Sequence, residues 1–296
     1  ERIKFGEFVV FSLVLTAIIY PIAGSWQWNG DGWLAQLGFY DFAGSTIVHS
    51  IGGGAALIAI LMVGPRIGKY ATDKGVEIKP HSFSLATIGV FLLWFGWFGF
   101  NGGSVLSADP GTLSLVFVIT ALGGAAGTMG AMVTSWIKYK RPDLANTLNG
   151  CLAGLVGITA GADQFSPMDA VLIGALAGII VVFSAQFFDE RKIDDPVGAT
   201  SVHLVCGIWG TLAVGLFGAL ASPAQFLSQV IGVVCIGVAT VVFSVLVLTV
   251  VKKTMGLRVT ADHELLGLDK AEHKDLSYVY HSEIVAVAKV PEIEVA

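Results

Sequence analysis

The sequence predicts an all-α fold: a polytopic transmembrane helical bundle built on inverted repeats. Composition is the first reason. The 296 residues are 54% hydrophobic and only 13% charged, with a mean hydropathy of +0.76, whereas a soluble chain carries about 25% charged residues. The second is that apolar runs of about 20 residues recur along almost the whole length, enough for a helix to cross a bilayer. The third is a repeat: Asp41-Phe-Ala-Gly-Ser-Thr-Ile-Val-His49 and Asp195-Pro-Val-Gly-Ala-Thr-Ser-Val-His203 share Asp, Gly, Thr, Val and His in one register.

Eight spans follow, at residues 5–24, 41–63, 84–103, 112–136, 144–162, 167–188, 197–221 and 226–251. The first follows Arg2 and Lys4 and leads to Trp26, Trp28, Asp31 and Trp33, where indole faces beside a carboxylate suit a small cation. The second and seventh each open on one repeat. The third ends in Trp94, Trp97, Phe98 and Phe100 among glycines, either an interfacial aromatic belt or the lining of a narrow passage. The fifth holds Asn146 and Asn149, which suits a helix buried among others. With the N-terminus inside, all 17 Lys and Arg residues fall on the inner side and the outer loops have only acids such as Asp31, Asp109 and Asp163. Residues 1–251 form the membrane domain and 252–296 a cytoplasmic tail.

This topology runs the span at 41–63 inward and the span at 197–221 outward, so the two repeats are inverted. Each histidine lies eight residues past its aspartate, a rise of about 12 Å. In a hydrocarbon core of about 30 Å both reach the midplane, within roughly 6 Å of one another in depth. An intramembrane histidine either bonds a neighbouring helix or faces a polar path, and symmetry-related depth favours the path. Asp41 and Asp195 sit where a carboxylate caps a helix N-terminus, a structural role. Cys151, Cys206 and Cys235 give neither a disulfide framework nor metal-ligand spacing, and there is no nucleotide fingerprint or basic nucleic-acid patch.

Five ordered stretches resemble the ammonium transporter family, the Amt branch of the Amt/Mep/Rh superfamily. They are Glu1-Arg-Ile-Lys-Phe, the repeat from Asp41 to His49, Gly96-Trp-Phe-Gly-Phe-Asn-Gly-Gly-Ser104, the segment from Asp194 to Gly210, and Gly256-Leu-Arg-Val with Gly267-Leu-Asp and Glu272-His273. The resemblance implies an eleven-span fold of two inverted five-helix repeats plus a last long helix, assembled as a homotrimer in the cell membrane. It makes His49 and His203 twin pore histidines, Trp28 and Ser104 parts of an outer ammonium site, Phe100 the inner ring of a gate and Trp97 its pore-lining neighbour. It implies no enzymatic activity and no cofactor. The tail resembles the docked cytoplasmic region of the family, with a PII-type regulator as a partner. Lys274 stands where the family's glycine follows His273, Gly102 where alanine is commoner, and Trp28-Asn-Gly-Asp-Gly is one residue longer than the family's Trp-Gly-Gly-Gly.

The expected function is passage of ammonium, deprotonated to ammonia, past the histidine pair. Two alternatives carry different signatures: a sensor of the same fold that reports binding through its tail, and a bis-histidine haem protein. Pseudo-symmetry also calls for three further spans before residue 5, so eight of eleven are expected here, and the outer phenylalanine of the gate would lie on one of them.

Overall fold

In the computed structural model, which describes residues 2–72 and 76–278, the chain is a helical bundle. Among the described residues, six helices are long and apolar enough to cross a membrane: α1 (Phe5–Gln36), α2 (Ser45–Val63), α3 (Phe83–Gly103), α4 (Pro110–Tyr139), α6 (Pro167–Glu190) and α8 (Pro223–Thr254). Two shorter apolar helices, α5 (Leu144–Thr159) and α7 (Thr200–Ala213), stand where the sequence places its fifth and seventh spans. The chain is an integral membrane protein.

Local chemistry sets the starts. Ser82, Asp109, Asp143 and Ser222 each accept a backbone N–H from the first turn of α3, α4, α5 and α8, and Ser166 with Asp169 forms a reciprocal capping box on α6. These bonds satisfy amides that a helix start leaves orphaned. Proline occupies the first helical position of α4, α6 and α8, where its missing N–H costs nothing.

Several boundaries depart from the sequence expectation. α1 runs on past residue 24 and places Trp26 and Trp28 in its last full turn rather than in a loop; it breaks at residues 29–32 before a single turn, Trp33–Gln36. The seventh span was expected over 197–221, yet helix covers only Thr200–Ala213. Gly218 turns the chain at φ +77° and Pro223 starts the next helix. Fourteen residues rise about 21 Å, less than a bilayer core. The short helix is sustained because its ends are packed in protein, where other groups satisfy the backbone: Val214 is fully buried, and the carbonyl of Thr211 accepts from Gln229. α5 is sheltered likewise, with residues 150 and 153–160 buried.

One face of the bundle is closed by contacts between distant segments. Lys4 N–H donates to Leu257 C=O and Val259 N–H to Arg2 C=O, each at 3.0 Å, around an isolated antiparallel bridge between Ile3 and Arg258. Beneath it, Arg66 donates to the buried Asp194 carboxylate from its amide, Nε and Nη2 at 2.7–2.8 Å, and Arg2 Nη2 reaches the Asp194 carbonyl at 2.9 Å. Arg258 pairs with Glu264, whose carboxylate also accepts from Ile67 N–H. Two short helices, α9 (Ala261–Leu266) and α10 (Leu268–Ala271), continue the tail. The His273 ring then packs edge-on against Phe5 at 5.1 Å. Lys274 adopts the left-handed conformation, φ +60°, that a glycine would take without strain. The tail from residue 279 lies outside the described residues.

Candidate functional site

Each repeat folds into the same device. Asp41 is fully buried, and its carboxylate accepts four backbone N–H groups, from Gly44, Ser45, Thr46 and Ile47, at 2.8–3.0 Å. Gly44, at φ +112°, turns the chain into a π-helical segment, Ser45–Ser50, in which His49 N–H donates to the Gly44 carbonyl five residues back. In the second copy Asp195 accepts from Gly198 and Thr200 at 3.0 and 2.7 Å, Gly198 takes φ +75°, and Thr200–Val205 is again π-helical. Hydrophobic periodicity carries no signal for an i→i+5 ladder. Such segments are rare and concentrate where a side chain must be re-aimed.

The two π segments cross almost backbone to backbone, and two glycines permit it. A Cβ on Gly53 would lie 2.4 Å from Leu204 N, and one on Gly207 would lie 2.3 Å from the Ser45 carbonyl. Each glycine follows its histidine by four residues, one turn along the helix. Polar groups fix the crossing: Ser45 Oγ donates to Val156 C=O at 2.7 Å, and the Thr46 and Thr211 hydroxyls meet at 2.6 Å.

At the crossing the imidazoles face each other, Nδ1 to Nδ1 at 3.2 Å, with ring centroids 5.2 Å apart and planes 17° from parallel. One Nδ1 must donate and the other accept, so the two rings hold opposite tautomers. The pair therefore offers one Nε2 acceptor and one Nε2–H donor. His49 Nε2 is buried and has no hydrogen-bond partner among the described residues. A metal between the two Nδ1 atoms would need about 2 Å on each side, more than their separation gives, so none fits between these facing nitrogens.

Trp97 stacks on His49 at 5.0 Å and 12°, and Phe100 lies 5.4 Å from the same ring. The Trp97 indole N–H donates to Thr159 Oγ1 at 3.0 Å, while Asn101 donates to Thr120 Oγ1 at 3.0 Å, tying α3 to α5 and α4. The sequence gives no cue to Thr159 or Thr120. These partners are remote from residue 97 in the chain, and hydroxyls in spans are commonplace. The structure thus brings His49, His203, Trp97 and Phe100 together.

Trp28 and Ser104 stand apart from that cluster. The Trp28 indole N–H donates to the Asp41 carbonyl at 2.8 Å, and the residue is 42% exposed at the end of α1 opposite the tail. Ser104 Oγ donates back to Phe100 C=O at 2.9 Å. Neither residue makes a hydrogen bond or ring contact with the histidines. At the same end Tyr40 is clamped: Gln229 accepts its N–H and donates to its C=O, and its hydroxyl donates to Asp163.

A family model described as the Ammonium Transporter Family matches residues 1–278. A putative ammonium transporter of Synechocystis sp., sll1017, is 42% identical over 278 residues, covering 92% of this chain and 62% of that protein. Ammonium transporter Amt2 of Archaeoglobus fulgidus is 40% identical over 311 residues, covering 94% and 65%. Among solved structures, one described as a Sensor Amt Protein superposes with a TM-score of 0.88 at 40% identity, covering 92% of this chain and 71% of that one. Candida albicans Mep2 superposes at 0.81 and 29% identity, covering 98% and 66%. The chain spans a little under two thirds of the length of these two curated relatives.

Proposed function

Because the chain belongs to the Ammonium Transporter Family, we propose that it carries ammonium across the membrane as ammonia, past the paired imidazoles of His49 and His203. The observation that supports this reading best is the pair itself: a neutral donor and a neutral acceptor, walled by Trp97 and Phe100, with no carboxylate of the described residues in hydrogen-bond contact. Such a site suits a small neutral molecule that both donates and accepts. An isolated ammonium ion at that depth would cost several kcal/mol even after relaxation, whereas ammonia loses only hydrogen bonds that the rings replace.

Trp28 and Ser104 are the recruiting groups at the mouth. The indole face attracts the cation through its quadrupole, and the Ser104 hydroxyl accepts from it. Phe100 narrows the way to His49. The Trp28 end faces outward and the tail inward, following the distribution of basic residues. The assembly is a homotrimer in the cell membrane, with the docked tail coupling subunits and offering a surface to a PII-type regulator. A sensor reading draws support from the 40% identity to the Sensor Amt Protein; there, occupancy of the same site would be reported through the tail instead of by flux.

Flux of labelled methylammonium into vesicles reconstituted with the protein tests the proposal. Uptake above that of empty vesicles, altered in selectivity by His49→Glu, is expected. Binding of ammonium without any uptake would favour the sensor. Uptake unaltered in His49→Glu would remove the histidine pair from the path.

A further inference from the structure

We propose that Asp163 is an affinity-determining residue of the ammonium mouth, drawing the cation to Trp28 by an uncompensated carboxylate charge. The inference rests on the transport reading and adds a residue to its entrance. Asp163 lies in the turn between α5 and α6, on the face opposite the tail. That turn packs against the segment carrying the mouth: Phe42 and Ala43 N–H groups donate to the carbonyls of Ala160 and Thr159.

Three observations set Asp163 apart from Asp109 and Asp169 on that face. Asp109 and Asp169 accept backbone N–H groups or cap their own helices, so their charge answers a helix dipole. Asp163 answers nothing of the kind. One of its oxygens accepts the Tyr40 hydroxyl, and the other, Oδ1, is buried without a hydrogen-bond partner among the described residues. No Lys or Arg occurs in residues 25–44, 104–109, 160–166 or 214–222, the connections on that face, and no ion pair involves Asp163 among the described residues. The Tyr40 hydroxyl and the residue's own amide are neutral donors and leave the charge uncompensated.

The position is also fixed. Gln229 bonds both the N–H and the C=O of Tyr40, and Tyr40 is followed directly by Asp41, whose carbonyl accepts the Trp28 indole at 2.8 Å. The carboxylate is thereby tethered through one side chain and one peptide to the anchor of the recruiting tryptophan. It need not touch the ion. At an exposed mouth with low-dielectric walls a single charge on the order of 10 Å away raises local cation concentration several-fold, and salt weakens the effect because the Debye length at physiological ionic strength is about 8 Å.

The test uses the full chain and two variants. Asp163→Asn keeps an acceptor for Tyr40 and removes the charge; Tyr40→Phe keeps the charge and removes the hydroxyl. In Asp163→Asn the KM for methylammonium should rise about five-fold at low ionic strength with Vmax unchanged, and the gap to wild type should close in about 0.5 M salt. Asp163→Glu should restore the low KM, and Tyr40→Phe, which frees the carboxylate without removing its charge, should raise KM by less than Asp163→Asn and keep the salt dependence. An unchanged KM in Asp163→Asn, a rise indifferent to salt, or a rise reproduced in full by Tyr40→Phe would overturn the inference. Should the Asn variant fail to fold, the wild-type KM itself must still climb with salt, and a flat profile counts against the idea. Tryptophan fluorescence titrated with ammonium gives the same comparison without flux. Wild-type flux with no variant effect defeats the Asp163 role alone, whereas a protein that neither conducts nor binds ammonium defeats the transport reading with it.

Discussion

Replacing Gly207 by alanine tests whether the crossing of the two π segments is what holds the histidines together. The added Cβ would sit 2.3 Å from the Ser45 carbonyl oxygen and 2.5 Å from Ser50 Oγ, where ordinary contact begins at 3.4 Å. Ser45 is backbone-bonded to Asp41 and cannot rotate away, so the segments must part by about 1 Å. The Nδ1 atoms, now 3.2 Å apart, would then stand at roughly 4 Å, beyond hydrogen-bonding range. Overpacking costs about 1–3 kcal/mol and the lost bond about 1 kcal/mol. Against these, alanine gains about 0.5–1 kcal/mol over glycine in a helix. The balance is a loss of about 1–3 kcal/mol. Thermal unfolding in detergent should show a lower midpoint, and methylammonium flux should fall with it. Gly237→Ala is the control, since nothing lies within 4 Å of its Cβ position, and it should be neutral or slightly stabilising. Wild-type stability and flux in Gly207→Ala would refute the reasoning.

Other expectations follow from the same geometry. Removing the Phe100 ring leaves His49 facing a wider space, so Phe100→Ala should admit larger amines; wild-type selectivity in a folded variant would show that the ring does not gate. Burial disfavours an ionised Asp194, yet hydrogen bonds and charge from Arg66, with Arg2, hold its carboxyl below the ordinary 3.8. Its folded value is depressed, so the stabilisation is complete above pH 3.8 and is lost as pH falls through the lower folded value. Limited proteolysis of the tail should therefore be unchanged from pH 8 to 5 and rise only in stronger acid, and release near pH 6 would contradict this account. Lys274→Gly relieves a left-handed residue and should stabilise tail docking by about 1 kcal/mol, read as slower proteolysis at the tail.

The sequence makes the bundle legible because bilayer thickness imposes a length on each apolar run, and the positions of the long helices follow from that alone. It is less informative where protein rather than lipid surrounds a helix, which is why α7 proves shorter than its apolar run. The two histidines stand out through the repeated Asp and Gly beside them, a local pattern. Their π-helical setting does not, because it depends on which carbonyl an amide finds. Trp97 on His49, Tyr40 on Asp163 and Arg66 on Asp194 are likewise hidden: each joins residues tens to hundreds of positions apart, and without aligned relatives one sequence offers no pairing signal.

The bridge between residues 2–4 and 257–259 has a consequence for the order of assembly. Lys4 Nζ and the Met255 carbonyl are 251 positions apart in sequence, and closing a flexible loop of that length costs about 5 kcal/mol of chain entropy. The bridge cannot form early. It becomes affordable only after the intervening helices have inserted and packed, which brings its two segments within reach. The arginine cluster around Asp194 then completes around the same junction, drawing on the α2–α3 connection and the approach to α7 as well. A docked tail is thus a late reporter of a finished bundle: any span that fails to insert leaves residues 257–273 unmoored and open to proteases, whichever helix is at fault.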